Sequence, residues 1–183
     1  MNQDQERELV RRVEEGSVDA YQTLLRHHLL PLNRYVTRMI GNSADAEEIL
    51  QDVFLRLWQK ANQFNPDKSK LTTWLHHIAH NRCIDEIRKK RPAMMDLKEV
   101  EDYEILSQES PQNDFIHEQT NQFLAAAIHK LPENQKSALL LSYYQGLSNK
   151  QTAKILSISV EALESLLVRT RKKLQRSLDG VSL

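Results

Sequence analysis

One stretch of this chain repeats apolar residues at three- and four-residue steps over sixteen positions. The repeating residues are Ala46, Ile49, Leu50, Val53, Phe54, Leu57, Trp58 and Ala61. At 3.6 residues per turn they form a single stripe along one side of a helix. Asn42 and Ser43 stand just before the stripe, where a helix N-terminus is usually capped. We therefore predict an amphipathic helix over residues 43–62.

The rest of the chain also favours helix, because only 4 glycines and 5 prolines interrupt its 183 residues. Helices are predicted over residues 4–15, 17–40, 43–62, 71–90, 114–130, 132–145, 148–156 and 159–178. No apolar run approaches the roughly 20 residues of a membrane span, and no basic segment followed by an apolar stretch opens the chain. The chain is therefore expected to be all-α and without membrane insertion. Its single cysteine, Cys83, cannot form an internal disulfide, which favours a cytoplasmic protein.

Charge is distributed unevenly along the chain, although the formal net charge is zero. Residues 66–92 carry seven Lys or Arg against three acids, and residues 131–183 carry eight against four. Residues 93–130 carry two bases against eight acids. Two basic modules joined by an acidic segment suit a polyanionic partner better than the average charge suggests. We predict two small helical domains, over 1–91 and 114–183, joined by an acidic linker over 92–113.

The second module has the pattern of a helix-turn-helix. Ser148 and Gln151 form a Ser-x-x-Gln capping box, the short helix that follows contains the small residue Ala153, and Ser159 is suited to cap a second helix. In that second helix the apolar stripe consists of Val160, Leu163, Leu167, Leu174 and Leu178. Ser165, Arg169, Lys172 and Arg176 lie on the opposite side. Such a face can enter a major groove, and the alternative is an ordinary solvated basic face.

In the first module a polar loop precedes a basic helix. Leu71, Trp74, Leu75, Ile78 and Ala79 form its predicted apolar side, and Trp74 fits the core better than a stacking platform. The other side presents His76, His77, His80, Arg88 and Arg91, next to Lys68 and Lys70 of the loop. This combination suits single-stranded nucleic acid. His76 and His80 are spaced like zinc ligands but lack a third ligand, so no metal or cofactor is expected. No catalytic motif is present, so no enzymatic activity is expected.

Three segments of the sequence resemble extracytoplasmic-function (ECF) sigma factors of the sigma-70 family. Residues 45–58, DAEEILQDVFLRLW, are similar to the polymerase-binding helix of sigma region two. Residues 71–88, LTTWLHHIAHNRCIDEIR, are similar to the promoter-melting helix that follows it. Leu131-Pro-Glu, Gly146-Leu-Ser and residues 159–166 are similar to sigma region four. The segments occur in family order and together cover nearly the whole chain.

The resemblance implies a factor that binds core RNA polymerase, directs it to promoters and promotes melting. Contacts to the clamp helices of the largest polymerase subunit are expected from Asp52, Leu55, Arg56 and Gln59. Contacts to the minus-ten element are expected from Lys68, Ser69, Lys70, His77, His80, Asn81, Arg88 and Arg91. Contacts to the minus-thirty-five element are expected from Glu161, Glu164, Ser165, Arg169, Lys172 and Arg176. An anti-sigma protein is an expected further partner.

Two features leave alternatives open. Glu164 and Leu166 stand where family members often have Lys or Arg, which implies altered promoter preference or weaker minus-thirty-five binding. The linker is either a passive tether or an acidic segment that threads a basic polymerase channel. The rival functions are a helix-turn-helix repressor or activator that works without polymerase, and an interaction module that has lost promoter recognition.

Overall fold

The computed structural model describes residues 1–90 and 124–179 of the chain. Its helices are α1 (Gln3–Glu14), α2 (Val18–Ile40), α3 (Ser43–Lys60), α4 (Leu71–Lys90), α5 (residues 124–129), α6 (Glu133–Leu139), α7 (Asn149–Leu156) and α8 (Val160–Asp179). Apart from the segment after Leu139, these bounds agree closely with the predicted helices of the described residues. The linker over 92–113 and the start of the helix predicted at 114 lie outside the described residues.

The first module is a bundle of α1 to α4, and its helices begin where the sequence supplies caps. Asn2 and Gln5 form a capping box at α1, and the Ser17 hydroxyl accepts a hydrogen bond from Ala20 N at 3.3 Å. At α3, Asn42 Oδ1 accepts from the backbone N–H groups of Ala44 and Asp45 at 2.9 and 3.2 Å. The apolar stripe predicted for α3 is buried from Ala46 to Ala61, except for the partly exposed Trp58.

The second module departs from prediction in one place. A continuous helix was predicted over 132–145, but α6 ends at Leu139 and passes into a π-helical turn, Leu140–Tyr144. Gln145 N donates to Leu140 O at 3.0 Å across five residues, and Gly146 then adopts a φ of 63°. The wider turn buries Leu140 and Leu141 and leaves two tyrosines exposed, an arrangement that periodicity alone does not distinguish from an α-helix.

The helix-turn-helix consists of α7 and α8. Ser148 and Gln151 form the predicted capping box, and Ser159 Oγ accepts from Ala162 N at 3.1 Å at the start of α8. Between the helices Ser157 adopts a left-handed conformation with φ 55°, which ends α7. On α8 the buried positions include Leu163, Leu167 and Leu174, as predicted; the side chain of Leu178 lies outside the described part.

The two modules pack directly against each other. Leu139, Leu140, Leu141 and Ile155 of the second module belong to the same apolar core as the residues of the first. A smaller core, which includes Ala138, Ala153, Leu163 and Leu167, lies inside the helix-turn-helix. The predicted all-α fold is confirmed for residues 1–90 and 124–179, and the shared core is a feature that the sequence did not predict.

Candidate nucleic-acid and polymerase surfaces

The loop between α3 and α4 is held in shape by its own side chains. Asn65 Oδ1 accepts hydrogen bonds from the backbone N–H groups of Asp67 and Lys68 at 3.0 and 3.3 Å. Arg7 of α1 forms an ion pair with Asp67 at 3.2 Å. Lys68 and Lys70 are exposed and Ser69 is half-buried. The loop therefore presents two cations on a backbone that is ordered by turn hydrogen bonds.

Several side chains predicted for the minus-ten element lie at the surface of α4. Asn81 and Arg88 are exposed, and His77 is half-buried with its Nε2 atom 3.4 Å from Asn81 Nδ2. Burial lowers the pKa of His77, and the positive charges of Arg56 and Lys154 lower it further. His77 therefore lies in a positive environment that includes a residue of the predicted polymerase surface. Arg91 lies outside the described residues.

The prediction that His76 and His80 project from an exposed face is wrong for this structure. His76 is 1% exposed and His80 is 7% exposed. The Nδ1 atom of His76 lies 2.8 Å from the Thr72 carbonyl oxygen. The Nδ1 atom of His80 lies 3.1 Å from the Tyr35 hydroxyl and 3.2 Å from the Ser137 hydroxyl. Both rings are buried because α2 and the second module cover this side of α4, which helical periodicity does not reveal.

His80 makes the fold sensitive to acid. Burial lowers its pKa from 6.5 to about 4, so the unfolded chain binds the proton first as the pH falls. Stability supplied by neutral His80 is present above pH 6.5 and is lost towards pH 4, at a cost of about 3 kcal/mol. Urea unfolding between pH 7 and 4.5 should show this decline, and His80→Gln should flatten it. An unchanged slope in that variant would assign the effect to other groups.

Lys136 of α6 crosses into the first module. Lys136 is only 5% exposed. Its Nζ atom donates a hydrogen bond to the carbonyl oxygen of Met39, near the end of α2, at 3.0 Å. Burial lowers its pKa from 10.5 to about 8. The neighbouring Ser137 hydroxyl lies 3.4 Å from Met39 Sδ and also contacts His80. The polar contacts of α6 therefore join the second module to α2 and α4.

Helix α7 covers part of the predicted minus-ten surface. Gln151 Nε2 donates to the Thr73 hydroxyl of α4 at 3.4 Å, and Lys154 Nζ donates to the carbonyl oxygen of Lys68 in the loop. Nearby, Arg38 of α2 lies over the Tyr144 ring at 4.9 Å from its centroid. In this arrangement the first helix of the helix-turn-helix lies beside the loop and α4, over part of the surface predicted for the minus-ten element.

The outer face of α8 is open. Glu161, Glu164, Ser165, Arg169, Lys172 and Arg176 are all exposed. Glu164 accepts a hydrogen bond from Asn149 Nδ2 at 3.2 Å, and Arg169 Nε donates to the Ser165 carbonyl oxygen at 3.3 Å. Hydrogen bonds from its own backbone N–H and from Ser159 lower the pKa of Glu161, so this carboxylate is ionised at neutral pH. The face combines two acids near the helix start with cations further along.

The predicted polymerase surface lies on the solvent side of α3. Leu55 is 50% exposed, and Arg56 and Gln59 are exposed beside it. Asp52 is half-buried and forms an ion pair with Arg82 of α4. The carboxylate partner of Arg82 therefore comes from a neighbouring helix and not from α4 itself. Asp52 therefore joins two helices of the bundle as well as facing solvent.

Sequence reasoning missed the polar groups between the modules and placed one aromatic residue correctly. These groups belong to Tyr35, Lys136 and Ser137, which all lie in predicted helices. The sequence offers one indication of them, a lysine at position 136 two residues before an apolar run. Trp74 is half-buried against the apolar core with its ring 5.8 Å from that of Phe64, as the core interpretation predicts.

Known proteins match this chain in both modules. Residues 24–93 match the Sigma-70 region 2 family, and residues 124–174 match the Sigma-70 region 4 family. The ECF RNA polymerase sigma factor SigW of Bacillus subtilis is 29% identical over 177 residues, which are 92% of this chain and 94% of SigW. The ECF RNA polymerase sigma factor RpoE of Cereibacter sphaeroides is 31% identical over 136 residues, which are 73% of this chain and 72% of RpoE.

Solved structures share the fold. CnrH, in complex with the cytosolic domain of CnrY, superposes with a TM-score of 0.73 over 97% of this chain and 99% of CnrH, at 23% identity. The sigma factor RpoE of Bartonella quintana, in complex with the anti-sigma factor NepR, gives a TM-score of 0.66 over 88% and 98% of the two chains, at 21% identity. Together with the sequence matches, these similarities show that the chain belongs to the ECF group of the sigma-70 family of RNA polymerase sigma factors.

Proposed function

We propose that this chain binds core RNA polymerase through α3, holds the unpaired minus-ten strand with the 64–70 loop and α4, and reads the minus-thirty-five element with α8. The observation that carries the proposal is the sorting of α8 into a buried stripe and an open face. Leu163 and Leu167 anchor the helix, while Arg169 and Lys172 point to solvent. A helix held in this way can enter a major groove and contact phosphates and base edges.

Promoter opening in this proposal needs no nucleotide hydrolysis. A protein shifts the equilibrium between paired and unpaired DNA only by the difference in its affinity for the two forms. The cations of the loop and α4 attract the phosphates of both paired and unpaired DNA. A preference for unpaired DNA therefore requires contacts to bases that have left the stack. The chain then acts by binding, without catalysis, and we place it in the cytoplasm with the polymerase.

The packing of α7 beside the loop means that the modules separate when both DNA elements are bound. Lys154 and Gln151 release their contacts to Lys68 and Thr73 in that step, and Lys136 leaves the buried site at Met39. All these groups are polar and regain hydrogen bonds to water on separation. The shared apolar core opposes separation. The equilibrium between packed and separated modules can therefore be shifted by a partner that binds one of them more tightly.

An anti-sigma protein is the further partner that we propose. Two relatives of the same fold were solved in complexes, CnrH with CnrY and RpoE with the anti-sigma factor NepR. In this chain Leu29 and Leu30 of α2 and Leu55 of α3 are 40 to 53% exposed. Large exposed apolar side chains are typical of protein-binding surfaces when they cluster.

Run-off transcription with purified core polymerase and genomic promoter fragments tests the function. Initiation that depends on the chain supports it. Duplex binding without polymerase, together with no initiation, would identify a repressor or activator. Capture of core polymerase without initiation at any promoter would identify an interaction module. The two rival results both contradict the proposal.

Arg169→Ala tests the role of α8. Loss of this exposed cation should weaken binding to a minus-thirty-five duplex by about 1–3 kcal/mol, if the guanidinium contacts a base, while affinity for core polymerase stays unchanged. Fluorescence anisotropy with labelled promoter duplex and a pull-down with core polymerase measure the two affinities. Arg12→Ala, which removes an exposed cation from α1, is the matched control. An equal loss of polymerase binding would contradict this division of roles.

A further inference from the structure

Three potential metal ligands meet where α1 packs on α2. Glu6 comes from α1, and His27 and His28 are adjacent on α2. One donor atom from each residue lies within 4.8 Å of the other two. The cluster is separate from the loop, from α8 and from the predicted polymerase residues of α3. Two adjacent histidines in a sequence do not by themselves indicate a metal site. The third potential ligand, Glu6, is brought next to them only by the packing of α1 on α2.

The buried half of the cluster has the spacing of two ligands on one ion. His28 Nε2 lies 3.2 Å from Glu6 Oε1, and the two side chains are only 5% and 12% exposed. Two ligands at about 2.1 Å from a tetrahedral ion lie about 3.4 Å apart. The Nε2 atom is buried without a hydrogen-bond partner among the described residues, because the nearby carboxylate is not aligned as an acceptor. A cation between the two atoms would satisfy both.

The exposed member of the cluster, His27, can move into position as the third ligand without disturbing the core. The His27 ring is perpendicular to that of His28, with centroids 4.9 Å apart. His27 is exposed, so a rotamer change that brings its nitrogen closer displaces no packed side chain. Imidazole nitrogens are the commonest side-chain ligands of transition metals, so His27 is chemically suited to be the third ligand.

We propose that Glu6, His27 and His28 form a site for a divalent transition-metal ion such as Zn²⁺. Two imidazoles and one carboxylate suit Zn²⁺, Ni²⁺ or Co²⁺, whereas Mg²⁺ and Ca²⁺ favour sites made of oxygen atoms alone. Three protein ligands leave a fourth tetrahedral position for water. The ion would fix α1 to α2, one residue away from Arg7, which holds Asp67 of the loop.

The experiment uses the full chain, free of any histidine tag and treated with EDTA. Calorimetric titration with Zn²⁺ should show one saturable site, and the melting temperature should rise with Zn²⁺ because the ion binds only the folded chain. Co²⁺ should give the visible absorption of a tetrahedral complex.

His27→Gln and Glu6→Gln separate the site from general histidine binding. Each should weaken Zn²⁺ binding roughly tenfold or more, since loss of a residue that only supports a metal ligand already costs about 10–100-fold. Each should also abolish the Zn²⁺-dependent rise in melting temperature. His77→Gln, which removes a histidine from α4, is the matched control and should bind as the natural chain does. The absence of saturable binding, or equal binding by all three variants, would show that Glu6 and His28 form an ion pair only.

Discussion

The Lys136→Met variant is expected to be more stable than the natural chain, by about 2 kcal/mol in the free energy of unfolding. Lowering the lysine pKa from 10.5 to about 8 corresponds to about 3 kcal/mol, and loss of the hydrogen bond to Met39 offsets about 1 kcal/mol. The ammonium of Lys136 is buried, donates to one carbonyl oxygen at 3.0 Å, and forms no ion pair with a carboxylate among residues 1–90 and 124–179. Its pKa of about 8 reflects the cost of that burial. Methionine fills a similar volume without a charge. Urea unfolding at pH 7 measures the difference.

The same variant is expected to initiate fewer transcripts. A gain of 1.4 kcal/mol in the packed arrangement lowers the separated population about tenfold. In the proposed function, α7 must leave α4 and the loop before both DNA elements are bound. Lys130→Met, which removes an exposed cation six residues earlier, controls for loss of charge. Stabilisation without a fall in initiation would show that separation of the modules does not limit transcription. No stabilisation would contradict our account of the buried charge.

A second pair of variants should separate folding from polymerase binding on one helix. Leu57 is fully buried in the apolar core, so Leu57→Ala should cost about 2–5 kcal/mol of stability by leaving a cavity. Leu55 lies two residues earlier and is 50% exposed. Leu55→Ala should leave stability within about 0.5 kcal/mol of the natural value and should weaken capture of core polymerase.

Urea unfolding and a polymerase pull-down measure these two effects. Because the substitutions are identical in chemistry and differ by 200° around α3, each variant serves as the control for the other. Full polymerase binding by Leu55→Ala would remove this side chain from the proposed interface. A large loss of stability in the same variant would mean that its exposed surface is packed in solution.

Most of the fold could be predicted because its local signals agree. The α3 stripe, the Asn42 cap and the Ser148 capping box each act within a few residues, and each appears in the structure where the sequence placed it. The turn at Leu140–Tyr144 was missed because π-helical and α-helical turns have nearly the same apolar pattern over five residues.

The exposure of a candidate site residue could be predicted from the sequence only where no other element packs over its helix. The open face of α8 follows from its own periodicity, and Arg169 and Lys172 lie on it. His80 lies on the polar side of α4 by the same reasoning, yet Tyr35 and Ser137 cover it from 45 and 57 residues away in sequence. Contacts of that range depend on how modules pack, which neither composition nor spacing reports.

Under the proposed function, the unequal exposure of α3 and α4 implies an order of assembly. Leu55 and Arg56 are accessible in the same arrangement in which α7 lies beside the loop and α4. If α3 is the polymerase surface that we propose, a chain in this state docks on polymerase before it engages a melted promoter. Free copies would then not occupy promoter DNA unproductively, and the affinity of the first encounter with polymerase would set how many of them reach a start site.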